Sequence, residues 1–216
     1  MRPSSQQIGQ SQKVKLLAQI SKQLEKLTSA IGRNIPVTTT TTTSLTTTTT
    51  TTIAPGYSIG DLALGGVIGY ILQPGDNGYN PSVQKGLVVA LTDMPNPTDW
   101  GCAGTLLPGS NGVAIGTGGQ NTINIVTNCT TADIAAKVCS DYTEGGYTDW
   151  YLPSALDLEA LYDNKAIIGW FSPEFYWSST QTSAANAGVI TFADPYPTFF
   201  QISKNGYYQV RAVRSF

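Results

Sequence analysis

The sequence predicts an α+β domain in residues 54–216, preceded by a coiled-coil helix and an extended threonine-rich stalk. Short apolar runs typical of strands stand at both ends of this C-terminal region, and two amphipathic segments typical of helices lie between them. An almost pure threonine tract separates the region from the start of the chain. We therefore divide the chain into an N-terminal anchoring and oligomerisation helix (1–36), a stalk (37–53) and a head (54–216).

The N-terminal helix is predicted from a heptad repeat. Five apolar residues follow one another at alternating spacings of three and four, which places them on one face of a helix. They are Leu17, Ile20, Leu24, Leu27 and Ile31. A helix this short is marginal in water, so the apolar face must be buried, either between copies of the chain or against the head. We favour self-association as a homotrimer, because Leu at heptad position a with Ile at d favours more than two strands.

The stalk, residues 38–52, is threonine apart from Ser44 and Leu45. It has no residues that could build a core. Threonine is β-branched and favours extended backbone, so the tract is a reasonable spacer. The alternative is an unfolded, O-glycosylated linker.

Composition argues against several function classes. The formal net charge is -2, charged residues make up 12% of the chain, and there is no histidine. A nucleic-acid surface needs clustered Lys and Arg, and histidine is the commonest general base and metal ligand. We therefore expect no nucleic acid, no metal site, no cofactor and no catalytic residues. No apolar run is long enough to span a membrane.

Within the head, the predicted strands are residues 67–72, 86–91, 188–192 and 208–216, with the first two forming a hairpin. Residues 130–142 and 154–164 are the predicted helices, the second capped by Ser154 with Asp157 in a partial capping box. We interpret residues 76–78 as a hairpin turn and the glycine-rich residues 115–122 as an irregular loop. Three cysteines, an odd number, allow a single bridge without identifying it; they are Cys102, Cys129 and Cys139.

Five strings in the head carry a family resemblance. They are TDWGC (98–102), IGTGGQNT (115–122), GGYTDWYLPSALDLEALY (145–162), YWSST (176–180) and VRAVRSF (210–216). In this order they resemble the C-terminal domain of the Lcl-type collagen-like adhesins, a family of bacterial and phage domains. The resemblance implies a C-type-lectin-like fold, in which the terminal strands pair, two helices pack beside them and an irregular second half presents the ligand surface. Such heads often end trimeric fibres.

Several of these residues have an evident structural role. Residues 150–153 and Trp177 are expected in the core, with a hydrogen-bond partner for the indole N–H. At least one of Arg211 and Arg214 is expected to pair with an acidic residue such as Asp149 or Glu159.

The candidate binding surface comprises the two stretches with the least evident structural role, residues 180–186 and 194–208. Tyr, Phe and Asn side chains there offer rigid aromatic contact with adaptable hydrogen bonds. The candidate ligand-binding residues are Gln181, Asn186, Tyr196, Phe199, Phe200, Asn205, Tyr207 and Tyr208. The alternative is that some of them, such as Phe200 and Tyr208, fill the core.

These observations favour a phage virion structural protein, a trimeric head or tail fibre assembled in the host cytoplasm. Its N-terminal segment would anchor to a capsid or tail protein, and its head would bind a glycan or protein of the host surface. The start of the chain has no signal-peptide core, which favours this function over a secreted bacterial surface adhesin. A weaker alternative is an enzyme of the formylglycine-generating type, which shares the lectin-like fold but uses a cysteine pair in a copper site.

Overall fold

The computed structural model describes residues 56–216. The predicted heptad helix and the predicted threonine stalk lie outside the described residues and stay predictions.

The first sheet joins the two ends of the described domain. Its strands are β1 (Leu62–Ala63), β2 (Gly66–Ile71), β3 (Gly86–Val89) and β7 (Val213–Ser215), all antiparallel in the order β1-β2-β3-β7. The predicted pairing of the first hairpin with the C-terminal strand is confirmed. The connection after β2 is longer than the predicted turn, and Asp76 holds it by accepting hydrogen bonds from Tyr70 Oη (2.9 Å) and Gln73 N (2.6 Å).

The second sheet is built from the later part of the chain. It contains β4 (Phe175–Gln181), β5 (Asn186–Thr191) and β6 (Phe199–Ser203), antiparallel in the order β4-β5-β6. β5 covers most of the strand predicted at residues 188–192. The strand predicted at residues 208–216 shrinks to β7, because the chain before it crosses the core and pairs only at single bridges, one of them between Thr98 and Tyr208.

Helices α1 (Gly118–Asn128), α2 (Ala135–Ser140), α3 (Ala155–Asp163) and α4 (Lys165–Ile168) lie between the two groups of strands in the sequence. The α+β fold class is thereby confirmed. α3 begins as predicted: Asp157 N donates to Ser154 Oγ (3.2 Å) and Ser154 N to Asp157 Oδ2 (2.8 Å). α2 is shorter than predicted, because Asp133 has a positive φ of 56° and Ile134 is extended.

α1 corrects the prediction of an irregular loop at residues 115–122. Its buried residues are Gly118, Asn121, Thr122 and Ile125, which keep helical spacing but are mostly small or polar. The Asn121 side chain accepts a hydrogen bond from Gly112 N (3.0 Å) and donates to Gly112 O (2.7 Å). Hydrogen bonds thus replace the apolar face that usually reveals a helix.

The core contains three buried tryptophans. Trp177 Nε1 donates a hydrogen bond of 2.9 Å to Thr98 O, so the partner expected for the Trp177 indole is present. Trp100 Nε1 donates a hydrogen bond of the same length to Ser178 O. Residues 150–153 are also buried as expected. Trp150 Nε1 has no hydrogen-bond partner within the described residues.

Cys102 and Cys129 form a disulfide, and Cys139 is free and buried. Arg214 pairs with Asp149, as expected, and Arg211 pairs with Asp93.

Within residues 56–216, every helix is too short or too polar to cross a bilayer.

Candidate functional site

The predicted binding residues divide between buried and exposed positions. Gln181 is 5% exposed, and its amide oxygen accepts from Leu107 N (2.8 Å) and Lys204 Nζ (2.7 Å). Its amide nitrogen donates to Leu107 O (3.0 Å). Gln181 therefore holds the loop at Leu107 and is removed from the candidate binding residues.

The predicted aromatic residues are largely at the surface. Tyr196 is 74% exposed and Tyr207 70%, while Phe199 and Phe200 in the edge strand β6 are 36% and 41% exposed. Phe199 covers Gly188, where a β-carbon would come within 2.3 Å of Phe199 Cε2. The binding stretch thus contains a regular strand as well as loops.

A row of aromatic contacts links β6 to the core. Phe200 and Tyr208 both meet the Phe175 ring edge to face, with centroids 5.5 and 5.8 Å apart, and Tyr208 meets Trp177 at 5.0 Å. Tyr208 is half-buried, so its role is at least partly structural. Asn205 is exposed and Asn186 half-buried; Asn186 N donates to Ser183 Oγ (2.9 Å).

Tyr207 lies on the rim of a groove of about 760 Å³. We call this the acidic groove, because three aspartates line it. Its lining residues are Met94, Pro95, Asn96, Pro97, Thr98, Asp99, Thr131, Ala132, Asp133, Val138, Asp141, Tyr142 and Tyr207. Asp99 comes from one segment of the chain, and Asp133 and Asp141 stand on either side of α2 in another.

The walls of the acidic groove are fastened to each other and to the core. The N–H of Ala135 donates to Asp99 O (2.9 Å), and Thr98 and Tyr208 exchange backbone hydrogen bonds of 3.2 Å. The first wall is formed by residues 94–99 and the second by residues 131–142. The Cys102–Cys129 disulfide joins the chain just after the first wall to the chain just before the second. These links are all independent of any ligand, so the groove is preformed.

The charge in the groove is negative. Asp141 forms an ion pair with Lys137, whereas Asp99 and Asp133 form no ion pair within the described domain. Partial burial raises the pKa of the Asp99 carboxyl and, together with nearby Glu144, the pKa of the half-buried Tyr142. Burial is the larger cause at Asp99, and a hydrogen bond from its own backbone N–H partly opposes it.

One polar atom on the groove wall is unsatisfied. Thr98 is 9% exposed, and its side-chain hydroxyl has no hydrogen-bond partner among residues 56–216. Most buried hydroxyls have a partner, so the Thr98 hydroxyl is an exception, as is that of Thr182.

The groove is mostly a feature that sequence reasoning missed. Tyr207 was predicted as a binding residue, but the aspartates were not, because each stands alone in the sequence. Two strings in the sequence mark the segments that carry these aspartates as surface loops. They are the proline-rich MPNPTD and the TTAD before α2.

The cysteines of the described domain occupy structural positions. Among residues 56–216, no three His, Cys, Asp or Glu side chains gather as a metal site would need. Two of the cysteines are joined in the disulfide, and burial raises the pKa of the Cys139 thiol. A buried thiol with a raised pKa is a poor nucleophile.

No protein-family model matches the chain, and neither does any curated protein. Among solved structures, a fimbrial protein from Bacteroides ovatus ATCC 8483 is similar, with a TM-score of 0.50 and 15% sequence identity. The similarity covers 70% of this chain but 44% of the fimbrial protein, so the chain matches less than half of that protein's length. At this identity the comparison shows a shared fold.

Proposed function

We propose that residues 54–216 form a non-catalytic attachment head, displayed outside the cell by a fibre-like subunit. The observation that carries this proposal is the preformed groove of about 760 Å³ with the exposed Tyr207 at its rim. A concave, preformed site lined by aromatic and polar side chains is what a binding domain needs. The exposed Phe199, Phe200 and Tyr196 add contact area.

We also propose a C-type-lectin-like arrangement for the head. The pairing of β3 with β7 supports it, because it brings the two ends of the domain into one sheet. Further support comes from β4, β5 and β6, which form a second sheet after the helices.

An extracellular location is supported by the Cys102–Cys129 disulfide. Such bonds persist on virions, on cell surfaces and in secreted proteins, and are rare in reducing compartments. Our first candidate is a virion head or tail fibre, a homotrimer anchored to a capsid or tail protein through residues 1–36, with the head binding a host-surface glycan or protein. The family resemblance of the head supports this candidate.

The second candidate is a bacterial surface adhesin. It is favoured by the fold shared with a fimbrial protein and by the same disulfide. The third function considered, a formylglycine-generating-type enzyme, is disfavoured, since Cys102 and Cys129 are bonded to each other and Cys139 is buried.

Immunogold electron microscopy tests the proposal. An antibody raised against residues 54–216 is applied to intact particles and intact cells of the source. We expect gold on the outer surface, on fibres of virions for the first candidate and on cell-surface appendages for the second. Labelling that appears only after lysis, away from any particle or appendage, contradicts an attachment function.

A further inference from the structure

We propose that a pocket beside Trp170 binds a neutral sugar ring, with the apolar face of the ring on the indole and its hydroxyls on Asp194. We call it the Trp170 pocket. Its volume is about 240 Å³, and it is lined by Lys165, Trp170, Phe171, Pro173, Phe192 and Asp194, none of which lines the acidic groove. This inference rests on the proposed attachment function and names the chemical class of one ligand.

Trp170 is displayed to solvent in a strained backbone conformation. Its side chain is 67% exposed, yet its φ is 58°, in the left-handed region that bulky residues rarely adopt. A large apolar side chain left in water adds little to the core, so packing of the indole does not explain the strain. Strained residues of this kind cluster at active sites and ligand clamps. The exposed indole therefore marks a binding surface.

Contacts to neighbouring atoms, and not to the indole, hold Trp170 in this conformation. The buried Arg211 guanidinium donates from Nη2 to Trp170 O and from Nε to Asp93 Oδ1, the latter over 2.6 Å. The next residue, Phe171, stacks on Phe192 with ring centroids 4.5 Å apart. Because the backbone and the following ring are fixed while the indole is exposed, the indole is a rigid platform open to a ligand.

The polar wall of the pocket is an ion pair with one free oxygen. Lys165 Nζ donates to Asp194 Oδ1 (2.7 Å) and to Phe192 O (2.9 Å), and Tyr162 Oη donates to the same Oδ1 (3.2 Å). The bond from Lys165, followed by that from Tyr162, holds the pKa of the Asp194 carboxyl below its usual range. The Asp194 side chain is 82% exposed, and among residues 56–216 these donors all reach Oδ1. Oδ2 is therefore available to accept from a ligand hydroxyl.

Charge is the first reason to assign a neutral ligand. Lys165 and Asp194 cancel each other's charge, so the pocket has no net attraction for an anion or a cation. A basic side chain would meet the Lys165 ammonium, and an acidic one would meet the Asp194 carboxylate. A sugar hydroxyl carries no charge and can donate to Asp194 Oδ2.

Shape is the second reason. A pyranose ring has a face of C–H groups that packs on an aromatic ring, as other apolar groups do. Trp170 supplies that ring, and Phe171 and Pro173 add apolar surface beside it. A volume of about 240 Å³ holds one sugar ring with its hydroxyls, so further units of a glycan would lie outside the pocket. One sugar ring uses the indole and the carboxylate at the same time.

Saturation-transfer difference NMR on the full chain tests the proposal. The probes are the methyl glycosides of glucose, galactose, mannose, N-acetylglucosamine, rhamnose and fucose, and the matched control is methyl glucuronide, which adds a carboxylate to the glucose ring. We expect transfer to at least one neutral glycoside, strongest at the C–H protons of one face. EDTA should not change it, since no cluster of metal-binding side chains is found among residues 56–216. Transfer to none of the neutral glycosides, stronger transfer to the glucuronide, or loss of the signal in EDTA overturns the proposal.

Variants of Trp170 separate ligand binding from folding. Trp170→Gly removes the indole and supplies the residue that best tolerates a positive φ, so binding should fall about tenfold or more. The midpoint of thermal unfolding should stay equal or rise by up to about 6 °C as the strain is relieved. Trp170→Phe keeps a smaller ring and should retain part of the affinity. A marked loss of stability in Trp170→Gly would show that the indole has a structural role and contradict the proposal.

Two further variants locate the site. Asp194→Asn keeps the shape of the side chain but removes its charge, and we expect binding to weaken about fivefold, as for loss of one exposed hydrogen bond to a charged group. The control is Leu106→Ala, because Leu106 is 66% exposed, nearly as much as Trp170, and lies outside the pocket. If Leu106→Ala weakens binding as much as Trp170→Gly, the effect is not local and the proposal fails.

Failure of this proposal and failure of the attachment function are distinguishable. Gold labelling of external fibres without binding of any glycoside would remove only the sugar assignment. If Trp170→Gly also abolishes attachment of such fibres, the pocket takes a protein partner and the sugar assignment is wrong. Labelling confined to lysed cells would remove the attachment function itself.

Discussion

Arg214 shows how one side chain fastens the C-terminal strand to the rest of the head. Its guanidinium donates two hydrogen bonds to Asp149, from Nε to Oδ1 (2.6 Å) and from Nη2 to Oδ2 (2.8 Å). A third bond, from Nη1 to Leu64 O, spans 3.2 Å. A two-pronged arginine–carboxylate pair is more specific than a lysine pair, because the planar guanidinium matches the carboxylate.

Arg214→Leu should therefore destabilise the head. The substitution leaves Leu64 O without this donor and removes both bonds to Asp149, which is itself more than half exposed. We expect a loss of about 1–3 kcal/mol in the free energy of unfolding, the range for losing a partly buried charged hydrogen-bond partner. Urea unfolding of the full chain measures it. Stability equal to that of the unaltered chain would contradict the role given to Arg214, and Arg214→Lys should lose less than Arg214→Leu.

Lys204 gives a prediction about pH. The residue is fully buried, its ammonium donates to Thr105 O (2.8 Å) and Gln181 Oε1 (2.7 Å), and burial lowers its pKa to about 8. At a pH between about 8 and the ordinary lysine pKa near 10.4, Lys204 is protonated in the unfolded chain but not in the folded chain. Stability from this group therefore rises with pH across that window and is flat below it.

The measurement is thermal unfolding of the full chain and of Lys204→Met at several values between pH 7 and pH 10. We expect the difference in stability between the two to change with pH only above about 8, in favour of the unaltered chain. A difference that stays constant over the whole range would show that Lys204 titrates normally.

At the scale of elements, strands and helices with apolar periodicity could be predicted from the sequence, whereas elements stabilised by polar contacts could not. β2, β3 and α3 were found because apolar runs and a capping serine mark them. α1 was missed because Asn121 and Thr122 occupy its buried face. The acidic groove could not be predicted, since its carboxylates meet only after the chain has folded.

The Cys102–Cys129 disulfide ties the chain just after the groove's first wall to the end of α1. The bonded cysteines are 27 residues apart in the sequence, and closing a loop of that length stabilises a protein by about 3–4 kcal/mol on the chain-entropy model. The sequence left the pairing open, because three cysteines allow three different bridges.

We expect the double variant Cys102→Ala, Cys129→Ala to lose most of that stabilisation and to bind groove ligands more weakly. Unfolding of the unaltered chain with and without a reducing agent checks the first part, and the double variant should be insensitive to the reducing agent. Cys139→Ala serves as the control, because this free, buried cysteine is outside the bridge. If reduction leaves the stability of the unaltered chain unchanged, the bridge does not support the groove.

At the scale of the whole molecule, the proposed trimer would turn a weak single-site contact into firm attachment. A single binding site on one head gives modest affinity by itself, and linking several copies raises the effective concentration of the remaining sites. The heptad residues, which lie outside the described part of the chain, are where this assembly can be tested.

The test is light scattering of the full chain against two single substitutions in the predicted helix. We expect the unaltered chain to have three times the mass of one chain. Leu24→Asp places a charge at heptad position a, inside the predicted seam, and should give monomers, because an unpaired charge cannot be buried between helices. Gln19→Asp introduces the same group at position c, on the outer face, and should stay trimeric. Near-ultraviolet circular dichroism should show the same head signal in all three proteins, so a loss of trimers would come from the helix alone. A monomeric unaltered chain, or equal effects of the two substitutions, would mean that the apolar stripe is buried elsewhere, and the attachment head would then act as a single copy.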